Sequence, residues 1–194
     1  LKAGKHRDAM DMFEAAGMWD EVQEIAESFM NAKDMHALYL NQAGRLESKQ
    51  KFKEAEGCYL KASEPDLAIN MYKKNHMFDD MIRLVAQYRN VHLAEAHAQI
   101  AHQLENEGHL RQAEQHYIEA GQWTNAVDMY RHNDKWNDAI KVAKAHGNPN
   151  AWKKVAVDWA ITVGGETGGE AGAKLLFKLG LIEEAINYCI EREI

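Results

Sequence analysis

Serine, proline and cysteine are scarce in this chain of 194 residues, with three, two and two of each. The two cysteines, Cys58 and Cys189, cannot build a disulfide framework or a zinc knuckle. Both fall in apolar slots of helical stripes, which predicts buried core thiols in a reducing compartment. None of Ser28, Ser48 and Ser63 stands in a nucleophile-elbow context, so nucleophilic hydrolysis is not expected. No apolar run reaches the roughly 18 residues of a membrane helix and no signal-peptide pattern is read, so neither membrane spanning nor secretion is expected. Positive charge is also short, with 23 Lys and Arg against 30 Asp and Glu, a net charge of −7 and a pI near 5.8. Nucleic-acid affinity comes mostly from cations neutralising phosphates, so a nucleic-acid partner is not expected. The basic spots at Lys49, Lys51 and Lys53, at Lys73 and Lys74, and at Lys153 and Lys154 lie beside carboxylates or on polar faces and read as solvated surface. Leu1 is not a start methionine, and Glu191-Arg192-Glu193-Ile194 carries no helix-ending signal, so a segment of a longer chain is expected.

Short-range repetition fills the chain. Ala113, Ala126 and Ala139 are spaced by 13 residues, tyrosines follow the first two by four (Tyr117, Tyr130), and tryptophans follow each tyrosine by six (Trp123, Trp136). Spacings of three and four put Trp123, Ala126, Val127 and Tyr130 on one helical face, and Trp136, Ala139, Ile140 and Ala143 on another. About three turns of helix and a two-residue turn fill each such period. The pattern predicts an all-α fold, a right-handed TPR-like α-solenoid of about thirteen antiparallel helices without strands.

A first helix is predicted from about Lys5 to Ala15 with Ala9, Met12 and Phe13 inward, ended by Gly17 in the left-handed cap conformation. Trp19 opens the next, with Val22, Ile25 and Ala26 on its face. Asp34 is read as the cap of a longer helix ending near Lys49. Ser63 is read as the N-cap of a helix with Pro65 near its start and Asp66 as the returning acid. Asn75 and Asn133 stand at matching turns, where asparagine tolerates left-handed backbone. Asn148-Pro149 reads as an N-cap followed by a first-turn proline, ahead of Trp152, Val155, Ala156 and Trp159. After GGETGGEAG the pattern resumes through Leu175, Leu176 and Leu179, and Ile182, Ala185, Ile186 and Cys189 mark the last helix.

A longer period lies above the short one. A shift of 58 residues superposes Phe52 on Leu110, Ala55 on Ala113, Tyr59 on Tyr117, Tyr72 on Tyr130 and Phe78 on Trp136, and also Leu46 on Leu104 and Glu47 on Glu105. The unit is one long helix followed by three short ones. Residues 1–194 are read as a single helical-repeat segment with units at roughly 1–33, 34–90, 91–147 and 148–194 and a flexible glycine-rich loop at 164–172. Phe13, Trp19, Tyr59, Tyr72, Phe78, Tyr117, Trp123, Tyr130, Trp136 and Trp159 are expected as wedges between helices.

Chemistry is mostly missing. His92, His97 and His102, five apart, spread around a helix; His109 and His116 share a face, but no carboxylate or cysteine stands at ligand spacing and H-E-x-x-H is absent. The glycines from Gly164 lack the Gly-Lys-Ser/Thr ending of a P-loop and fail G-x-G-x-x-G, and they join helices where phosphate loops follow a strand. Glu183 and Glu184, adjacent on a helix, point apart and support no paired acid–base step. No enzyme, cofactor, metal or small-molecule substrate is expected.

With the repeats laid out, LKAGKHRDAMDMFEAAGMWDE at the start, EPDLAINMYKKNHMFDDMIRLV from Glu64, LENEGHLRQAEQHYIEAGQWTNAVDMYR from Leu104 and LFKLGLIEEAI from Leu176 resemble one family. It is that of the largest intraflagellar transport B subunit, with WD40 propellers followed by a long tetratricopeptide-like tail. The resemblance implies a scaffold segment in trains carried by kinesin and dynein, with other intraflagellar transport subunits as partners. It places the chain in the cilium or flagellum and basal body, and implies no catalytic or cofactor residues. The alanine–aromatic–tryptophan spacing is shared with propeller–solenoid vesicle-coat and adaptor proteins, which stand as the alternative. A peptide-binding repeat module would need a row of Lys, Arg or Asn that the sequence does not show.

Overall fold

The computed structural model describes residues 2–165 and 169–193, of which residues 2–4 by their backbone only. Among the described residues it contains thirteen α-helices, one short 3-10 turn and no strand. The chain divides into two compact units, Leu1–Asn90 and Val91–Ile194. The first holds α1 (Lys2–Ala15), α2 (Trp19–Phe29), α3 (Ala32–Ser48), α4 (Phe52–Lys61), α5 (Pro65–Lys74) and α6 (Phe78–Tyr88). The second holds α7 (Leu93–Asn106), α8 (Leu110–Glu119), α9 (Trp123–His132), α10 (Trp136–His146), α11 (Ala151–Gly164), α12 (Glu170–Lys178) and α13 (Ile182–Glu191). The main helix contacts within each unit join neighbours in sequence, with α11 against α13 as the added one. This is the contact pattern of a helical-repeat stack, in which each hairpin buries its apolar stripe on the next.

The period of 58 residues sets the helix boundaries. Moved by 58, α4 becomes α8, α5 becomes α9 and the start of α6 becomes the start of α10, while α3 and α7 end at matching residues. The turns repeat as well. Gln50, Ser63 and His76 have positive φ of 58°, 62° and 56°; at the corresponding places Gly108, Gly121 and Asp134 have 80°, 71° and 56°. At each the chain closes the helix with paired amide bonds. After α8, the Gly121 N–H donates to the Ile118 carbonyl at 2.9 Å and the Gln122 N–H to that of Tyr117 at 2.8 Å. After α4, Ser63 and Glu64 do the same to Leu60 and Tyr59, both at 2.9 Å. This is the Schellman closure, which needs one left-handed residue just past the cap and takes glycine there without strain.

That closure corrects several sequence readings. Ser63 is the left-handed residue ending α4; the N-cap of α5 is Glu64, without a side-chain bond. Asn75 and Asn133 lie one residue before the left-handed position, with φ of −99° and −101°. Their amides serve the helix end differently: Nδ2 donates to the Met71 and Met129 carbonyls at 2.8 Å in both copies. α3 is capped by Asn31, whose Oδ1 accepts from the Asp34 N–H at 2.9 Å while its Nδ2 donates to the Asp34 carboxylate, so the asparagine ahead of Asp34 is the cap. Asn148 forms a local turn by accepting from the Asn150 N–H, and α11 starts two residues after Pro149. In α1, Met12 is 74% exposed and Met10 takes the inward place, in one cluster with Val22 and Ala26. Met10 and Phe13 are three apart and share a stripe; Met12 lies about 100° from Phe13, off that face.

The glycine-rich stretch is narrower than the loop read at 164–172. α11 runs through Gly164, Gly169 takes the left-handed conformation at φ 91°, and α12 begins at Glu170; residues 166–168 lie outside the described residues. Gly164 and Gly172 are close-approach glycines. A Cβ on either would collide with the Tyr188 hydroxyl, and one on Gly172 also with the Ala160 carbonyl. The small residues thus bring α13 against α11 and α12.

Candidate functional site

The strongest feature of the helix stack is a set of tyrosine–glutamate ties between neighbouring helices. Tyr59 on α4 donates its hydroxyl proton to Glu47 on α3 at 2.7 Å, and Tyr117 on α8 does the same to Glu105 on α7 at 2.6 Å. Tyr72 on α5 donates to Glu56 on α4, and Tyr130 on α9 to Glu114 on α8 at 2.6 Å. The acid stands 12 residues before the tyrosine in the first kind and 16 before it in the second, in both copies. Hydrogen bonds to an ionised acceptor are the stronger class, and here each also orients a ring that fills the helix–helix gap. Burial, then the bond to the carboxylate and its charge, raises the pKa of all four phenols, that of Tyr59 to about 12.

The two copies differ around the second tie. Glu56 is 8% exposed and also accepts from Arg83 Nη2 at 2.6 Å, with Lys53 at 4.0 Å. Burial alone would raise its pKa, but the bonds from Arg83 and Tyr72 and the charges of Arg83 and Lys53 overcome it and hold the carboxyl below its usual range. Lys53 also pairs with Asp80 and lies over the Tyr72 ring. In the second copy Lys141, the counterpart of Arg83, pairs with Asp138 at 2.8 Å.

Of the expected wedges, Tyr59, Tyr72, Tyr117, Tyr130 and Trp136 are buried, whereas Phe13, Trp19, Phe78, Trp123 and Trp159 are partly buried. Phe13 and Trp19 pack on the Met10–Val22–Ala26 cluster, and Trp19 meets Tyr39 edge to face at 6.3 Å. Trp136 stacks on Trp159 with centroids 6.3 Å apart and planes 3° apart. Cys58 is buried; Cys189 is only partly so, because Ile182 and Ile186 on its side of α13 are exposed.

The histidines pair across helices. His97 Nδ1 on α7 is 2.9 Å from His116 Nδ1 on α8, so one ring donates to the other; burial lowers the His97 pKa against the opposing attraction of Glu119. His102 Nδ1 lies 2.8 Å from the Tyr117 hydroxyl, and since that hydroxyl gives its proton to Glu105, His102 is the donor to its oxygen. His109 is the exposed N-cap of α8. No group of three or more His, Cys, Asp or Glu that could hold a metal ion occurs among the described residues, and no helix there is long and apolar enough to cross a membrane.

Sequence reasoning passed over Glu56, Glu114, Arg83 and the His97–His116 pair. The signal for the glutamates was present: the shift of 58 that carries Glu47 to Glu105 also carries Glu56 to Glu114. No spacing within one helix marks His97 and His116, which meet only when α7 and α8 pack.

Known proteins align along almost the entire chain. It is 47% identical over 193 residues to intraflagellar transport protein 172 of Chlamydomonas reinhardtii. It is 42% identical over 190 residues to the intraflagellar transport protein 172 homolog of Homo sapiens, and 34% over 191 residues to intraflagellar transport protein osm-1 of Caenorhabditis elegans. Each alignment covers 98% of the chain and 11% of the relative, so the chain spans a small part of these proteins' length. The resemblance read from the runs at Leu1, Glu64, Leu104 and Leu176 therefore extends well beyond those runs. The family profile described as the GEMI5 TPR domain matches residues 72–193, from within α5 to just past α13. That match takes in more than half of the residues and every helix of the second unit, and the chain belongs to this TPR family.

Proposed function

We propose that the chain is a non-catalytic scaffold segment of an intraflagellar transport subunit, meeting other such subunits during cilium assembly and ciliary cargo transport. The observation that carries this reading is the 34–47% identity over 98% of the chain to proteins named for intraflagellar transport. The helical stack suits the role, because short amphipathic helices present a long surface on which several modest interfaces can be distributed. In this reading the four repeat units are the building blocks, the aromatic residues wedge between their helices, and no side chain performs a chemical step. The place of action is the cilium or flagellum and its basal body. Co-precipitation of the chain from ciliated-cell extract, followed by mass spectrometry, tests the proposal. Recovery of intraflagellar transport subunits is the expected result. Recovery of vesicle-coat components in their place would favour the coat or adaptor alternative.

A further inference from the structure

Between α7 and α8 the rings of His97 and His116 meet, with Nδ1 atoms 2.9 Å apart and centroids 5.1 Å apart, both side chains half-buried. Contact at that distance holds one proton: one ring donates, and the other accepts through an unprotonated nitrogen. A neutral pair meets that condition, and so does a singly charged pair in which the imidazolium is the donor. A doubly protonated pair does not, because two N–H groups and two positive charges then face each other. The first copy of the 58-residue unit has no such pair. There Tyr39 and Cys58 stand at the positions of His97 and His116, both buried, and burial raises the pKa of each further above neutrality. Lys61, at the position of Glu119, lies over the Tyr39 ring. In the second copy, burial keeps the His97 pKa below its ordinary 6.5 against the attraction of Glu119 on α8. The other acids of the two helices are engaged elsewhere: Glu95 with His92, Glu105 with Tyr117 and Glu114 with Tyr130. Of the cations, His102 donates to the Tyr117 oxygen and Arg111 is exposed at the start of α8. On α9, packed against α8, Arg131 pairs with Asp128 and Asp158.

We propose that the His97–His116 pair makes the α7–α8 hairpin a pH-sensitive joint, tied while one Nδ1 is unprotonated and loosened when both rings are charged. In the unfolded chain both rings take up protons near the ordinary value of 6.5, whereas the folded pair resists the second proton. The unfolded state therefore binds more protons in that range. Stability from the pair is complete above 6.5 and is lost as pH falls towards the lower folded value. The inference goes beyond the scaffold reading and does not depend on which partners the chain meets.

The test is amide hydrogen exchange on the 194-residue chain at pH 7.5 and pH 5.5, read as protection factors so that the intrinsic pH dependence of exchange is removed. Protection in α7 and α8 should fall about tenfold between the two, the effect of about one pKa unit. His97→Tyr/His116→Cys installs the residues that the first copy carries at these positions, and there the fall should be less than about twofold. His109→Gln, at the exposed N-cap of α8, should keep the full fall. Imidazole NMR titration of the unsubstituted chain gives a second reading that needs no variant. It should show His97 and His116 titrating in two separated steps, the second well below 6.5. Equal loss of protection in the unsubstituted chain and the double variant, unchanged protection at pH 5.5, or independent titration of both rings near 6.5 would overturn the proposal.

Discussion

Glu56 is the residue where burial and charge are most directly opposed. Its carboxylate is removed from water yet stays ionised because Arg83, Tyr72 and Lys53 surround it. Replacing it with glutamine leaves Arg83 only the longer contact with Asp80, at 3.5 Å, as a charged pairing, and costs about 1–3 kcal/mol at neutral pH. The pH dependence has a definite sign. A carboxyl held below its ordinary value of 4.5 in the folded chain contributes stability that is complete above that value and lost as pH falls through the lower folded one. Urea denaturation of the chain and its Glu56→Gln variant between pH 7 and pH 3 should therefore show a constant gap that closes below pH 4.5. A gap that stays constant down to pH 3 would contradict the ionised, clamped state.

At the scale of single helices, the turns and close approaches carry the predictions. Ser63 bears the left-handed strain that Gly121 avoids at the matching turn, with φ of 62° and 71°. Ser63→Gly should raise stability by about 1 kcal/mol, and Gly121→Ser should lower it by a similar amount, read from urea midpoints. Gly172 and Gly57 form a second contrast. A methyl on Gly172 meets the Ala160 carbonyl and Tyr188, whereas one on Gly57 meets nothing within 4 Å. Gly172→Ala should destabilise by about 1–3 kcal/mol through forced separation of α11, α12 and α13, and Gly57→Ala, inside α4, should stabilise by about 0.5–1 kcal/mol. Equal effects at the two sites would show that the α11–α13 approach is not tight.

Helix number and length were legible in the sequence because Ala113, Ala126 and Ala139 fix both the face and the period. Caps were less legible. Ser63, Asp34 and Asn148 all have cap chemistry, but Ser63 was claimed by the closure of the preceding helix and the other two by a neighbouring asparagine. Cross-helix partners were legible only through repetition, which marks Glu56 and Glu114 but leaves His97 and His116 unmarked.

For the molecule as a whole, the 58-residue unit means that one architecture is written twice with different surfaces. The buried ties repeat, Tyr59 with Glu47 as Tyr117 with Glu105, and Tyr72 with Glu56 as Tyr130 with Glu114. The rims do not: Lys53 is clamped where Arg111 is free of ion pairs among the described residues. A scaffold gains from that division, because the interior fixes the helix geometry while surface residues vary to meet different partners. Cross-linking mass spectrometry on intraflagellar transport complexes isolated from flagella, with a lysine-reactive reagent, tests this claim most directly. The exposed lysines Lys33, Lys74, Lys135 and Lys178 supply reporters on both units. The account predicts links from these lysines to other transport subunits. Links confined to the chain's own polypeptide, at full reagent reactivity of the same lysines, would contradict it.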